Sequence, residues 1–240
     1  MFPLVTMPAP FFHALQGLIP YEQARDMDRD AFKHLDHAQA ARAFFADDAS
    51  RLGVFLSHQW ASFTEPDPSG QQIAAMKSCL LALEQRKGCA RDKMYAWVDY
   101  LSIPQENTSS KFQAIMSLPV YVSLLHVFVI VAPDVAHRET GDVCNMETYM
   151  RRGWCRAEQL SCKLGHGGLD MHWTDGGNLR PFDELRWQYG AEWATMPFEV
   201  FSSTSEFTCC ARMHKQENGD EIVCDRHALV SLMLGLYAHM

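Results

Sequence analysis

Three short runs with no polar face constrain the fold of this chain more than any other feature. Leu52-Gly-Val-Phe-Leu-Ser57, Tyr95-Ala-Trp-Val-Asp99 and Val127-Phe-Val-Ile-Val131 are apolar at consecutive positions and bounded by polar or turn-forming residues. A strand of that kind has no side to turn to water, so it belongs inside a sheet covered on both faces. Between the runs the period changes. Ile73, Met76, Leu80 and Leu83 recur at helical spacing, with Lys87-Gly88 as a stop signal. Lys111–Leu125 reads as a second helix, interrupted by Pro119. Arg151–Leu164 reads as a third, with Gly165 where a capping glycine would stand. The alternation predicts an α/β protein: three layers, a mostly parallel sheet, helices on both faces. Ligands of such sheets bind beyond the carboxyl ends of the strands, here the loops after Leu56, Asp99 and Val131.

Outside this core the pattern is weaker. Residues 1–20 are proline-rich and read as an extended arm; between Tyr21 and Arg51, Phe32, Leu35, Ala38 and Arg42 fall near helical spacing, for one or two helices. Residues 1–51 are thus expected to be an N-terminal arm and helical extension, and residues 52–197 the α/β domain. Within the latter, Pro181–Trp193 reads as helical. Residues 198–240 are expected to form a Cys-rich β-hairpin and a helix packed on the same domain. The hairpin would pair Glu199–Arg212 with Glu221–Asp225 around Glu217-Asn-Gly-Asp220, and His227–Tyr237 would be the helix.

Composition narrows the function classes. With 48% hydrophobic and 21% charged residues the chain can bury a full core. A net charge of -8 argues against a nucleic-acid partner, which needs a basic surface. Val120–Pro133, the longest greasy stretch, carries Ser123 and His126 and is too short to span a bilayer, so no membrane partner is expected. No basic segment precedes an apolar run at the N-terminus. The eight cysteines then read as reduced thiols, and the expected location is cytoplasmic. No P-loop or Gly-x-Gly-x-x-Gly is present, so a nucleotide would have to be held in another way.

Four motifs stand in one order: Val54-Phe-Leu-Ser57, Trp97-Val-Asp99, Val127–Ala132 and Trp154-Cys-Arg-Ala-Glu158. Together, from Leu52 to Leu164, they resemble the TIR (Toll/interleukin-1 receptor) domain family as a divergent member. His58, Gln59 and Trp60 replace the family's usual Tyr or Arg, Ser102–Glu106 lacks its loop glycine, and a Pro- and Asp-rich insertion follows Trp60. The resemblance implies a flavodoxin-like sheet and a signalling or defence role. It also implies cleavage of NAD(P)+ at the nicotinamide–ribose bond with Glu158 as the catalytic carboxylate. NAD would be substrate, with no resident cofactor required, and homo-oligomers would form through TIR-like contacts. Two other readings stay open: a non-catalytic module acting by self-association, and an N-ribosyl or deoxyribosyl transferase on the same fold.

The residues support this chemistry to different degrees. Nicotinamide leaves a cationic pyridinium as a neutral molecule, so the site must supply a carboxylate that stabilises oxocarbenium character on the ribose. Trp154 and Glu158 are four apart and share a helix face, with Cys155 and Cys162 flanking Glu158. Partial burial there would raise the carboxylate's pKa; the alternative is a water-facing glutamate near a helix start. Ser57, His58, Trp60, Asp99 and Trp154 are the expected binding residues. Each has a bland alternative: local hydrogen bonding for Ser57 and His58, a loop anchor for Trp60, a cap for Asp99. Arg151, Arg152 and Arg156 would meet a pyrophosphate or form a solvated face. Cys155 would serve as a nucleophile only with a base beside it. Cys209, Cys210, His214, Cys224 and His227 include enough soft ligands for zinc, but adjacent cysteines chelate one ion poorly, so the expectation is no metal.

Overall fold

A computed structural model describes residues 2–45, 51–166, 170–215 and 219–238. Its strands are β1 (Leu4–Pro8), β2 (Lys33–Leu35), β3 (Leu52–His58), β4 (Met94–Trp97), β5 (Val127–Val131), β6 (Val135–Ala136), β7 (Val143–Cys144), β8 (Met171–Thr174) and β9 (Arg180–Pro181). Seven form one sheet in the order β2-β1-β4-β3-β5-β8-β9, and β6 and β7 make a separate ribbon. The central four, β4-β3-β5-β8, are parallel; β1, β2 and β9 are antiparallel additions at the two edges. The architecture is therefore α/β with a mostly parallel sheet, compatible with a flavodoxin-like fold.

The fully apolar runs are central because both sides of the sheet are covered. Every residue of β5 is buried. Side chains alternate between two cores. Phe55, Trp97, Phe128 and Ile130 meet the helices Leu118–Leu124 and Gly153–His166 on one face. Val54, Leu56, Val127 and Val129 meet helix Gln71–Lys87 on the other. In the first core the Phe55 ring stacks between Trp97 and Phe128, with centroids 4.2 and 5.1 Å away.

Several expectations are corrected. The proline-rich segment, expected as an extended arm, is part of the sheet: β1 inserts antiparallel beside β4, and Leu4, Val5, Thr6 and Met7 are buried. Pro8 and Pro10 sit at the strand's end and in the first turn of helix Ala9–Ala14, where a missing N–H costs nothing. Residues 21–45 hold helices Tyr21–Met27 and His37–Phe45, with β2 between them. The third helix, expected over Arg151–Leu164, spans Gly153–His166, so Gly165 lies inside it; Arg151 instead ends a separate helix, Met146–Arg151, capped by Asn145. The second helix divides into Thr108–Met116 and Leu118–Leu124, with Pro119 in the first turn of the latter. Pro181–Trp193 is helical only over Glu184–Tyr189 and a 3-10 turn at Ala191–Ala194; between them Gly190 takes φ 109.

The C-terminal hairpin is absent among the described residues. Short turns, including the helical turn Thr208–Ala211, replace its first strand, and a single bridge links Lys215 and Glu221. Val200, Phe207 and Cys209 spend their apolar surface on the core beside helix Gly153–His166, which an alternating hairpin would not allow. Glu217 and Asn218 of the expected turn lie outside the described residues. The terminal helix spans Asp225–Ala238. No helix among the described residues is long and apolar enough to cross a membrane.

Candidate active site

The carboxyl ends of β3 and β4 converge on the first turns of helix Gly153–His166. Between them lies a cleft of about 320 Å³ whose lining includes His58, Trp60, Asp99, Trp154 and Glu158. That volume is at the small end of ligand sites.

β3 ends by delivering Ser57 to one side of the sheet and His58 to the other. The Ser57 hydroxyl hydrogen-bonds to the Glu158 carboxyl and lies 2.5 Å from the Tyr149 hydroxyl. Tyr149 is fully buried. Burial also holds its phenol well above its ordinary pKa, so it stays protonated and donates to Ser57, which passes its own proton toward Glu158. Burial pushes the Glu158 pKa up to about 8; the Asp99 charge adds to this, while the Ser57 hydrogen bond and His58 oppose it. At neutral pH the free protein therefore keeps this carboxyl largely protonated.

With Asp99 ionised, the hydrogen-bond partners of His58 make it a cation. The Gln72 side-chain nitrogen donates to the carbonyls of Gln59 at 3.0 Å and Pro66 at 3.1 Å, which turns its Oε1 toward His58. Nδ1 of His58, 2.7 Å from that oxygen, must then donate, and Nε2 faces the Asp99 carboxylate at 2.9 Å. Both ring nitrogens carry protons. Burial lowers the imidazole's pKa, but the charge and hydrogen bond of Asp99, with help from Gln72, raise it above the ordinary value. For Asp99 the balance is the mirror image. Burial raises its pKa, and the His58 charge with hydrogen bonds from His58, Trp60 and the Tyr100 N–H bring it below the usual range.

Asp99 opens the helical turn Asp99–Ser102, accepts the Tyr100 N–H at 2.6 Å and holds the Trp60 indole nitrogen at 2.8 Å. The N-cap position itself is Val98, so Asp99 is the turn's first residue rather than its cap. Trp60 fills both of its roles: it is anchored, with its ring edge-on to Tyr100 at 5.4 Å, and it walls the cleft.

All six residues expected at the site are thus brought together. Ser57 stands behind the cleft, reaching it through Glu158. The arginines are not. Arg156 is buried and donates to the carbonyls of Met150 and Glu199 and the hydroxyls of Ser202 and Thr204. Arg151 pairs with Glu206 at 2.9 Å. Arg152 alone borders the cleft, joined by Lys111, which no motif marked. Tyr149 and Gln72 were also missed, because a buried polar side chain inside an apolar helix face leaves no periodic trace. Cys155 is no nucleophile: burial holds its thiol well above its ordinary pKa, and it donates to the His58 carbonyl at 3.8 Å. Away from the cleft floor, Cys209, Cys210, His214 and Cys224 place one ligand atom each within 4.8 Å of the others, so the adjacent cysteines do converge; His227 stays outside the group.

Fold and cleft define a class, an α/β protein with a mostly parallel sheet and, at its strands' carboxyl ends, a largely apolar cleft holding a few polar groups. Beyond that class, no protein-family model, no curated protein and no solved structure matches the chain.

Proposed function

We propose that the chain is a TIR-like NAD(P)+ nucleosidase in which Glu158 acts on the nicotinamide ribose. One observation carries the reading: the carboxyl of the half-buried Glu158, hydrogen-bonded from behind by Ser57, faces a cleft walled by Trp60 and Trp154. A water-facing, uncoupled glutamate would have suited a module that only self-associates.

The residues suggest how the step runs. The indole of Trp60 or Trp154 offers a face to the pyridinium, whose positive charge favours an electron-rich ring. Lys111 and Arg152, which border the cleft, would meet the pyrophosphate. The C1′–N bond breaks with its electron pair going to the pyridine nitrogen, which leaves as neutral nicotinamide. The positive charge moves to the ribose, where the Glu158 carboxylate stabilises it until water adds at C1′ and releases a proton. A cationic substrate beside Glu158 lowers the carboxyl's pKa, so binding helps to create the ionised form the step requires.

The test is release of free nicotinamide from NAD+ and NADP+ at high protein concentration. Because the required form is the carboxylate, kcat/KM should rise with pH, tenfold per unit, and level off above about 8. Glu158→Gln should lower the rate by at least ~100-fold with the fold intact by circular dichroism. A wild-type chain that releases no nicotinamide under assembly-promoting conditions would overturn the proposal.

A further inference from the structure

The four convergent ligands near the C-terminus are separate from the chemistry of Glu158, and the following does not depend on it. We propose that Cys209, Cys210, His214 and Cys224 form a structural zinc site that ties the turn Thr208–Ala211 to the start of helix Asp225–Ala238.

The three edges that meet at Cys210 are close to those of a tetrahedron, and the remaining ligand pairs lie within 4.8 Å. Zinc–sulfur bonds of about 2.3 Å and zinc–nitrogen bonds of about 2.0–2.1 Å set sulfur–sulfur edges near 3.8 Å and sulfur–nitrogen edges near 3.5 Å. Cys210 Sγ lies 3.7 Å from Cys224 Sγ and 3.5 Å from His214 Nε2, and Cys209 Sγ lies 4.0 Å from Cys210 Sγ. Sulfurs that far apart are not a disulfide, whose bond is about 2.05 Å, and all these cysteines are free thiols.

The backbone is arranged around the same point. Met213 and His214 take φ of 50° and 57°, two successive non-glycine residues in the left-handed region. Such residues cost energy unless their surroundings hold them. This kink turns the chain back so that the His214 N–H reaches the Cys209 carbonyl at 2.7 Å and the imidazole reaches Cys210. The Asp225 N–H points at Cys209 Sγ from 3.3 Å, the kind of donor that stabilises a thiolate.

Binding would release three thiol protons and leave a zinc centre of net charge -1 with three thiolates and a neutral imidazole; Arg226, whose charge acts on Cys210, offsets it. Four protein ligands close the coordination sphere, which makes the site structural rather than catalytic. Its place in the molecule explains its use. Thr208 and Asp225, each next to a ligand, border the cleft that holds Glu158, so the metal would fix one wall of that cleft.

The full chain, purified with a reductant, exposed to zinc and desalted, should retain one zinc per chain by elemental analysis. Cobalt(II) replacement should give the intense visible bands of a tetrahedral ion and thiolate-to-metal charge transfer. Cys210→Ser combined with Cys224→Ser should lose the metal, whereas Cys89→Ser, away from the cluster, should keep it. His214→Cys should hold cobalt with stronger charge-transfer absorption, a positive result that guards against loss by misfolding. A wild-type chain that keeps no zinc, or a cobalt spectrum of octahedral type, would overturn the proposal.

Discussion

Opposing forces meet at the Glu158 carboxyl: burial and the Asp99 charge favour the neutral form, while Ser57 and the His58 cation favour the ionised one. Removing one force should move the balance in a known direction. Ser57→Ala deletes the hydrogen bond that lowers the pKa, so the kcat/KM profile should shift to higher pH. Activity at neutral pH should fall ~10-fold for each unit of displacement and recover at alkaline pH. An unchanged profile would mean that Ser57 supports packing alone. None of these neighbours could be ranked from the sequence. The motif around Trp154 marked Glu158, but its perturbation depends on burial and on Ser57, Asp99 and His58, which lie far from it along the chain and near it in space.

The element that presents Glu158 starts at a crowded point. At Gly153 an added Cβ would fall within the ring of Phe207, a buried residue, and the Gly153 N–H donates to the Glu206 carbonyl at 2.9 Å. Alanine improves an exposed helix by about 1 kcal/mol over glycine, but overpacking a core costs about 1–3 kcal/mol. The clash wins, so Gly153→Ala should destabilise the protein by roughly 2 kcal/mol in denaturant unfolding. Adding Phe207→Leu should restore part of the loss, since the two changes share one contact. The break at Arg152 was invisible in the apolar spacing, which runs smoothly from Met150 to Leu160. What divides the helix is the Asn145 cap on one piece and the Arg152–Glu206 bridge, a long-range pairing, beside the other.

For the molecule as a whole, the N-terminal strand closes an exposed edge. β1 covers β4 and buries Leu4, Val5 and Met7. A chain starting after Pro8 should present an unpaired β4 edge with an apolar trough beside it and should aggregate, measured by light scattering.

Strand identity and the parallel core follow from local chemistry: a run such as Val127–Val131 can satisfy its side chains only between two covering layers, whatever the rest of the chain does. The position of the cleft follows with it, because parallel strands end at one rim. Tertiary structure alone decided the edges, the C-terminal turns and the charge states. The proline-rich start reads as an extended arm until β4 offers it hydrogen bonds. The residues near Cys209 read as a hairpin until the core takes up Phe207. The His58 cation needs Gln72 and Asp99, brought to it from two other elements. Hydrophobic period is written in neighbouring residues, whereas proton positions and edge pairing depend on partners that only folding brings within reach.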